Sequence, residues 1–282
     1  MRIFLAGATG AIGKRLVPVL VEAGHQVIGT TRTDAGVLAL RDLGAVGVRV
    51  DAFDRDGIAV AVAAAAPDVV VHQLTALSGD SAVDNARLRV EGTRNLVDAA
   101  KAAGVRRVVA QSISWAYEPG DKPADERTPL DLSAEGPRAV SVGGVHALET
   151  AVAEVDEHVV LRFGTFYGPG TWYSRDDLFG RKFREGGFTA TAGVSSFIHV
   201  DDAAAATAAA LTWATGPVNV VDDEPATGYE WTPVFARAVG APEPATGDGA
   251  AGWERGADNT LARLRGWNPR YPSWRAGFPT LG

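Results

Sequence analysis

The chain has 282 residues, 46% of them hydrophobic and 22% charged, which fits one large globular domain or one domain with a smaller lobe. Its formal net charge of −7 argues against binding to a nucleic-acid backbone, because such binding requires a basic face. Since the chain has no cysteine, it has no disulfide, no thiolate nucleophile and no cysteine-ligated metal site.

Two apolar stretches are candidates for membrane or targeting segments. Residues 1–6 lack the length of a signal peptide, and the alanine-rich stretch Ala203–Ala210 is too short to span a membrane. We therefore expect a cytoplasmic protein that acts on a small molecule, binds neither membrane nor nucleic acid, and is compatible with a homodimer.

The first half alternates short β-branched runs with amphipathic helical stretches, which predicts an α/β fold with a parallel sheet covered on both faces. The first strand is predicted at Ile3–Ala6, and the helix at Ile12–Ala23 ends before Gly24, a typical C-terminal stop. Further strands are predicted at Val27–Thr31, Val46–Val50, Val69–Gln73, Arg107–Gln111 and Val159–Phe163, and further helices at Val83–Ala103 and about 138–156.

The second half has a different character, with frequent glycine and proline and six of the seven tryptophans after residue 164. We predict a Rossmann-type, doubly wound domain over 1–165 and a smaller substrate-binding lobe over 166–282, partly interleaved with the core. The tryptophans fit an aromatic-lined pocket or simply the core of a small lobe, because large aromatic residues dominate cores generally.

A glycine-rich turn, Gly7-Ala8-Thr9-Gly10-Ala11-Ile12-Gly13, lies between the first predicted strand and helix. Its glycines, three residues apart, allow a tight turn, close approach of the backbone to a pyrophosphate, and close packing of the helix on the sheet. The helix N-terminus adds free N–H groups and the positive end of the helix dipole. In this strand–turn–helix context the pattern predicts a dinucleotide site rather than a tight turn alone.

The end of the second strand indicates which dinucleotide is bound. An acidic residue there would bind a ribose 2′-hydroxyl, whereas an arginine accommodates a 2′-phosphate. The segment Gly29-Thr30-Thr31-Arg32-Thr33 carries Arg32 among three threonine hydroxyls, and the first acid is Asp34. This arrangement favours NADP(H) as the cofactor. The alternative is that Arg32 stacks on adenine without contacting a phosphate.

Several segments resemble the extended short-chain dehydrogenase/reductase superfamily, which includes nucleotide-sugar epimerases and dehydratases, over nearly the whole chain. Asp51-Ala52 is similar to the loop whose acid contacts adenine, 72–76 to the loop beneath the cofactor, and 91–96 to the helix whose asparagine stabilises the central strands. The other similar segments are 126–130, 161–170 and 197–202.

The resemblance and the glycine turn together imply a set of cofactor contacts at or just after the ends of the first six predicted strands. These are Gly7, Thr9, Gly10, Ala11, Ile12, Gly13, Arg32, Asp51, Ala52, Leu74, Thr75, Ala76, Ser112, Phe163, Gly164, Thr165 and Phe166.

The predicted catalytic helix departs from the family pattern. The family places a tyrosine and a lysine four residues apart on one helical face, where the lysine lowers the tyrosine pKa and the tyrosine exchanges a proton with the substrate. Aligned through Ala147-Leu148-Glu149, these positions hold Ser141 and Val145; a shift by one residue gives Val142 and His146. The chain's tyrosines are Tyr117, Tyr167, Tyr173, Tyr229 and Tyr271. The tyrosine-based mechanism therefore does not carry over.

Several residues remain as catalytic candidates, and each has a structural alternative. Ile113 aligns with the family serine, so Ser112 or Ser114 can take its role only if the strand end shifts. Tyr167 and Tyr173 flank the loop that lies beside the nicotinamide in relatives, so either phenol can donate a proton or simply pack. His199 titrates near neutrality but can equally fix the lobe, and His146 can replace the lysine or point to solvent.

We expect an NADP(H)-dependent reductase that acts on a small, apolar or aromatic carbonyl or enone compound without a catalytic tyrosine. No metal is expected, because the adjacent Asp201 and Asp202 are explained by a helix N-cap and first turn. One alternative is a non-redox isomerase, cyclase or lyase, and another is a binding protein that senses NADP(H).

Overall fold

The computed structural model describes residues 1–76 and 82–281. Its main element is a seven-stranded sheet with the order β11-β6-β5-β4-β1-β2-β3. The strands are β1 (Arg2–Ala6), β2 (Gln26–Thr31), β3 (Val46–Arg49), β4 (Val69–His72), β5 (Arg107–Ile113), β6 (Glu157–Phe163), β7 (Thr165–Tyr167), β8 (Thr189–Ala190), β9 (Val194–Ser195), β10 (Phe197–His199), β11 (Gly216–Val220), β12 (Ala226–Thr227) and β13 (Ala245–Thr246).

Helices connect these strands. They are α1 (Gly13–Glu22), α2 (Asp34–Asp42), α3 (Arg55–Ala65), α4 (Ala82–Arg87), α5 (Thr93–Ala102), α6 (Gly136–Val152), α7 (Leu178–Arg184), α8 (Val200–Ala209), α9 (Gly228–Val239), α10 (Thr260–Leu264) and α11 (Trp274–Gly277). Leu88–Gly92 forms a π-helical turn between α4 and α5, and Ala210–Thr212 and Phe278–Leu281 are 3₁₀ turns.

The sheet has the strand order expected of a Rossmann-type fold. β1 pairs in parallel with β2 on one side and with β4 on the other, and β2–β3 and β4–β5 are also parallel. The direction of winding therefore changes between β1 and β4. Ligands of such sheets bind at the carboxyl ends of the strands beside this change.

The chain forms two compact units. The first contains residues 1–112, 132–161 and 204–217, and the second contains 113–131, 162–203 and 218–282. Residues 113–131 belong to the second unit and residues 204–217 to the first, so the two units alternate along the chain.

The first unit is held together by aliphatic packing on both faces of the sheet. Four residues of β1 are completely buried and the inner face of α1 is buried, as the alternation of strand and helix patterns predicts. Gly144 in α6 brings that helix very close to α4, because a Cβ there would lie 3.0 Å from the Cα of Ala86. The α/β fold class is confirmed.

The second unit has an aromatic core. Trp231, Phe235 and Phe278 pack edge-to-face, with ring centroids of Phe235 and Phe278 5.2 Å apart. Trp274 is fully buried in the same cluster. The tryptophans of this cluster are therefore packing residues, one of the two alternatives that their clustering left open.

The predicted strands are each observed within a few residues of the expected bounds. The long helix predicted at Val83–Ala103 is present, but it is divided by the π-helical turn Leu88–Gly92 into α4 and α5. The helix predicted at about 138–156 begins earlier and ends at Val152.

Candidate cofactor and active site

The glycine turn closes tightly against neighbouring backbone. Gly7 has a φ of +87°, and a Cβ on it would lie 2.5 Å from the carbonyl oxygen of Gln73. A Cβ on Gly13 would lie 2.4 Å from the oxygen of Gly7. Only hydrogen fits at either position, so the turn has the close backbone approach that a pyrophosphate site requires.

The first turn of α1 is free to receive an anion. No side chain caps this N-terminus and no acidic residue lies in its first turn. Thr9, Gly10 and Ala11 are exposed or partly exposed beside it. The N–H groups of Gly10, Lys14 and Leu16 bond to backbone oxygens of the turn, so the positive end of the helix dipole is what α1 presents where the sequence predicts the phosphates.

The hydroxyls of Thr30 and Thr31 in β2 and of Thr33 after it are engaged within the protein rather than free around Arg32. Thr30 Oγ1 accepts a hydrogen bond from the backbone N–H of Gly7 at 3.2 Å, and Thr31 is buried. Thr33 caps α2. All three hydroxyls support local structure, because buried or capping positions use their hydrogen bonds internally.

Arg32 itself remains available to a ligand. It is exposed and makes no hydrogen bond or ion pair with any residue that the structure describes. The nearest acid, Asp34, is held by Arg49 through contacts of 3.0 and 3.1 Å. The residue that could have served a 2′-hydroxyl is therefore engaged elsewhere, while the one suited to a 2′-phosphate is not.

The loop after β3 is fixed from a neighbouring helix. Asn95 Nδ2 donates to the carbonyl oxygen of Ala52 at 2.9 Å, and Asp51 Oδ1 accepts from the N–H of Phe53 at 2.9 Å. Asp51 is exposed. The asparagine that the family resemblance singled out thus holds the loop predicted to contact adenine.

The loop after β4 is organised by a buried histidine. His72 Nε2 lies 2.8 Å from Thr93 Oγ1, and its Nδ1 accepts from the N–H of Leu74 at 3.3 Å. Burial lowers the pKa of His72 to about 4, so the ring is neutral near pH 7. The N–H of Ala76 donates to Asn85 Oδ1 at 3.0 Å. This positions the predicted contacts Leu74, Thr75 and Ala76 after the strand end.

α6 has the position of the family's catalytic helix but not its residues. Ser141 is partly buried, Val145 is fully buried, and His146 is exposed. The Oγ of Ser112, at the end of β5, donates to Glu149 Oε1 at 2.7 Å. Ser112 therefore orients a carboxylate of α6, a contact that we did not predict.

Arg89, in the π-helical turn, is a residue that the sequence analysis did not single out. It is 7% exposed, and its pKa falls to about 10 through burial, opposed by the charge of Glu149. Its neighbour Leu88 and the helix position Asn85 are also buried. The spacing 85, 88, 89 marks one helical face, so an arginine on that face was the signal available in the sequence.

In the second unit, the segment after β6 is tied down by its backbone. The N–H of Ser114 donates to the carbonyl of Phe163 at 2.9 Å, and the N–H of Thr165 donates to that of Ser196 at 2.8 Å. A Cβ on Gly164 would lie 2.6 Å from the oxygen of Ser196. The Phe166 ring lies 5.3 Å from that of Phe163.

The two candidate tyrosines are packed into aromatic surroundings. Tyr167 is fully buried, and among the described residues its hydroxyl has no hydrogen-bond partner. Tyr173 stacks on Phe179 with centroids 4.3 Å apart. Burial raises the pKa of both phenols well above the usual value. These surroundings favour the packing alternative for both tyrosines.

His199 is also enclosed. It is 3% exposed, its ring lies 4.0 Å from that of Tyr271, and its Nδ1 accepts from the N–H of Asp201 at 3.2 Å. Asp202 accepts from the N–H groups of Arg270 and Tyr271 at 2.7 and 2.9 Å. This geometry favours a role in fixing the lobe.

Within 1–76 and 82–281, no group of three or more histidine, aspartate and glutamate side chains is arranged to hold a metal ion. In the same ranges no helix has the length and apolar character needed to cross a membrane.

Comparisons with known proteins identify the family of the chain. The model of the NAD dependent epimerase/dehydratase family matches residues 3–221. The chain is 46% identical, over 99% of both sequences, to a Streptomyces protein named 3-diazoavenalumate denitrifying reductase.

Solved structures share the fold. WbmG of Bordetella bronchiseptica, in complex with NAD and UDP, matches with 23% identity and a TM-score of 0.78 over 100% of this chain and 93% of that one. UDP-glucose 4-epimerase of Thermus thermophilus, in complex with NAD, matches with 24% identity and a TM-score of 0.76 over 99% and 97%. The chain belongs to the NAD dependent epimerase/dehydratase family and is an NAD(P)-dependent oxidoreductase.

Proposed function

We propose that the protein is an NADP(H)-dependent reductase that replaces the diazo group of a small aromatic acid by hydrogen. The observation that carries this proposal is α6, where Ser141 and Val145 stand at the positions of the family's tyrosine and lysine. The site therefore lacks the usual proton donor, and its substrate should be one whose reduction does not need a donor.

A diazonium compound has this property. The cation Ar–N≡N⁺ and a hydride together give Ar–H and dinitrogen, so charge and atoms balance without any proton. When bound, reduced nicotinamide supplies such a hydride. Reduction of a carbonyl, by contrast, leaves an alkoxide that must be protonated. The name of the Streptomyces relative, a denitrifying reductase of a diazo-substituted acid, supports the diazo compound over the carbonyl or enone expected from the sequence.

The chain's own residues hold the cofactor and the site. The turn Gly7–Gly13 and the uncapped start of α1 receive the pyrophosphate, and Arg32 receives the 2′-phosphate. The loops fixed by Asn95 and His72 position adenine and the central part of the cofactor.

The choice of NADP(H) is tested by Arg32→Ala, with Arg41→Ala, an exposed arginine of α2, as the matched control. A charged hydrogen bond contributes about 1.5–3 kcal/mol, so kcat/KM for NADPH should fall about 10- to 100-fold while that for NADH stays nearly constant. An equal loss for both cofactors would favour adenine stacking and contradict the proposed phosphate contact.

The reaction is tested with NADPH and diazotised 3-aminocinnamic acid, beside a panel of carbonyl and enone compounds. We expect one NADPH oxidised per cinnamate formed, faster than the rate measured without enzyme. Turnover of carbonyls with no acceleration for the diazo acid would refute the proposed substrate. Conversion of a substrate without NADPH consumption would instead favour a non-redox isomerase or lyase.

A further inference from the structure

The first unit contains a buried arginine, Arg89, to which the proposed reaction assigns no role. Arg89 lies on the inner face of the helix that runs from α4 to α5, in the π-helical turn. Ionised side chains are rarely buried to this extent without a partner, because leaving water costs several kcal/mol. Its burial therefore requires an explanation.

No protein group described here neutralises Arg89 directly. It makes no hydrogen bond with any residue in the ranges 1–76 and 82–281, and no carboxylate of these ranges lies within 4.0 Å of its nitrogens. Glu149 affects Arg89 through its charge. The carboxylate of Glu149 accepts a hydrogen bond from the hydroxyl of Ser112 at 2.7 Å. The five N–H donors of the guanidinium are unsatisfied by the described part of the protein.

The Arg89 side chain is buried but keeps a small exposed surface, since it is 7% exposed. A group that is buried overall but not sealed, and that has free donors, is typical of a binding site awaiting an anion.

Arg89 also lies at the correct end of the sheet. The π-helical turn that carries Arg89 leads directly into Thr93, whose Oγ1 lies 2.8 Å from Nε2 of His72 at the end of β4. The carboxyl ends of these strands are where such sheets bind ligands.

We propose that Arg89 binds the carboxylate of the substrate through its planar fork of N–H groups. The carboxylate is the chemical class that this fork matches in two parallel hydrogen bonds. The identity of the acid rests on the proposed function, but the anion contact does not, because it is argued from a buried guanidinium without a hydrogen-bond partner within residues 1–76 and 82–281.

The contact is tested by calorimetric titration of the NADP⁺-saturated protein with 3-hydroxycinnamate, which cannot be reduced by loss of dinitrogen, and with its methyl ester. Wild type should bind the acid at least 10-fold more tightly than the ester. Arg89→Met should lose this preference, and Arg89→Lys should retain part of it. Arg55→Met, which removes an exposed arginine paired with Asp98, is the matched control and should bind like wild type.

A thermal melt separates this binding role from a structural one. Because Arg89→Met removes a buried, unpaired charge, its Tm without ligand should equal or exceed that of wild type. A lower Tm with an unchanged acid-over-ester preference would mean a structural role and overturn the proposal. Weaker NADP⁺ binding by Arg89→Met would overturn it as well, in favour of a cofactor contact.

Failure of the contact and failure of the proposed reaction are distinguishable. If wild type prefers the acid through Arg89 but does not reduce the diazo acid, the anion contact stands and the proposed function falls. If wild type shows no preference for the acid, or if Arg89→Met reduces the diazo acid with the KM of wild type, the contact is wrong whatever the reaction.

Discussion

A buried carboxyl in the second unit should make stability fall as pH rises. Asp222, which follows β11, is 1% exposed and accepts the backbone N–H of Trp274 at 2.8 Å. Burial raises its pKa from 3.8 to about 8, although the N–H bonds to Trp274 and Glu224 act in the opposite direction. Asp222 therefore keeps its proton in the folded protein over much of the neutral range.

The direction in which stability changes with pH follows from proton linkage. Between about pH 4 and pH 8 the folded state binds a proton at Asp222 that the unfolded chain has released. The stabilisation is complete below pH 4 and is lost as pH rises towards 8, with a slope of up to about 1.4 kcal/mol per pH unit. Over pH 5 to 8 this amounts to about 4 kcal/mol from this carboxyl.

The substitution Asp222→Asn removes the titration but keeps an oxygen that can accept from Trp274. The variant should therefore lose stability less steeply with pH and exceed wild type by several kcal/mol at pH 8. Urea unfolding followed by tryptophan fluorescence at pH 5, 6, 7 and 8 measures the two slopes. The exposed Asp121→Asn controls for the loss of a carboxylate. Parallel slopes for wild type and Asp222→Asn would refute the reasoning.

Two further substitutions address the cofactor turn and the aromatic core. Gly13→Ala places a Cβ 2.4 Å from the backbone oxygen of Gly7, so it should destabilise the protein by about 1–3 kcal/mol and abolish NADPH binding in a fluorescence titration. The control is Gly143→Ala, in open space on α6, which should stabilise the protein by about 0.5–1 kcal/mol and bind NADPH normally. Tyr167→Phe removes a hydroxyl without a partner among the described residues, so Tm should stay or rise and kcat should not change; a large loss of kcat would restore its catalytic role.

The fold and the cofactor turn were readable from the sequence because both depend on local patterns. Alternating apolar runs define the strands, and the glycines of Gly7–Gly13 are needed for steric reasons that hold in any such fold. The roles of the threonines were not readable in the same way. Thr30 bonds back to Gly7 and Thr33 caps α2, and these contacts depend on side-chain directions that spacing does not specify.

The catalytic candidates illustrate a second limit. Tyr167 and Tyr173 were chosen because phenols carry chemistry, yet burial decides whether a phenol can act, and burial depends on contacts distant in sequence. Arg89 was overlooked because an arginine in a helix is usually exposed to solvent, whereas this one is buried. Its place on the apolar face was visible in the spacing of residues 85, 88 and 89.

The proposed substrate also gives a chemical reason for what α6 lacks. Aryl diazonium ions couple to phenols and react with amines, so a tyrosine and a lysine beside the substrate would be modified by it. Such groups are absent from α6, where Ser141 and Val145 stand instead, and the chain has no cysteine that could be attacked. The phenol of Tyr167 is sealed inside the second unit's core. A guanidinium such as Arg89 stays protonated and is a poor nucleophile, so it can hold the carboxylate of a diazo acid without being consumed. Loss of the tyrosine and lysine thus fits a changed substrate better than a loss of catalysis.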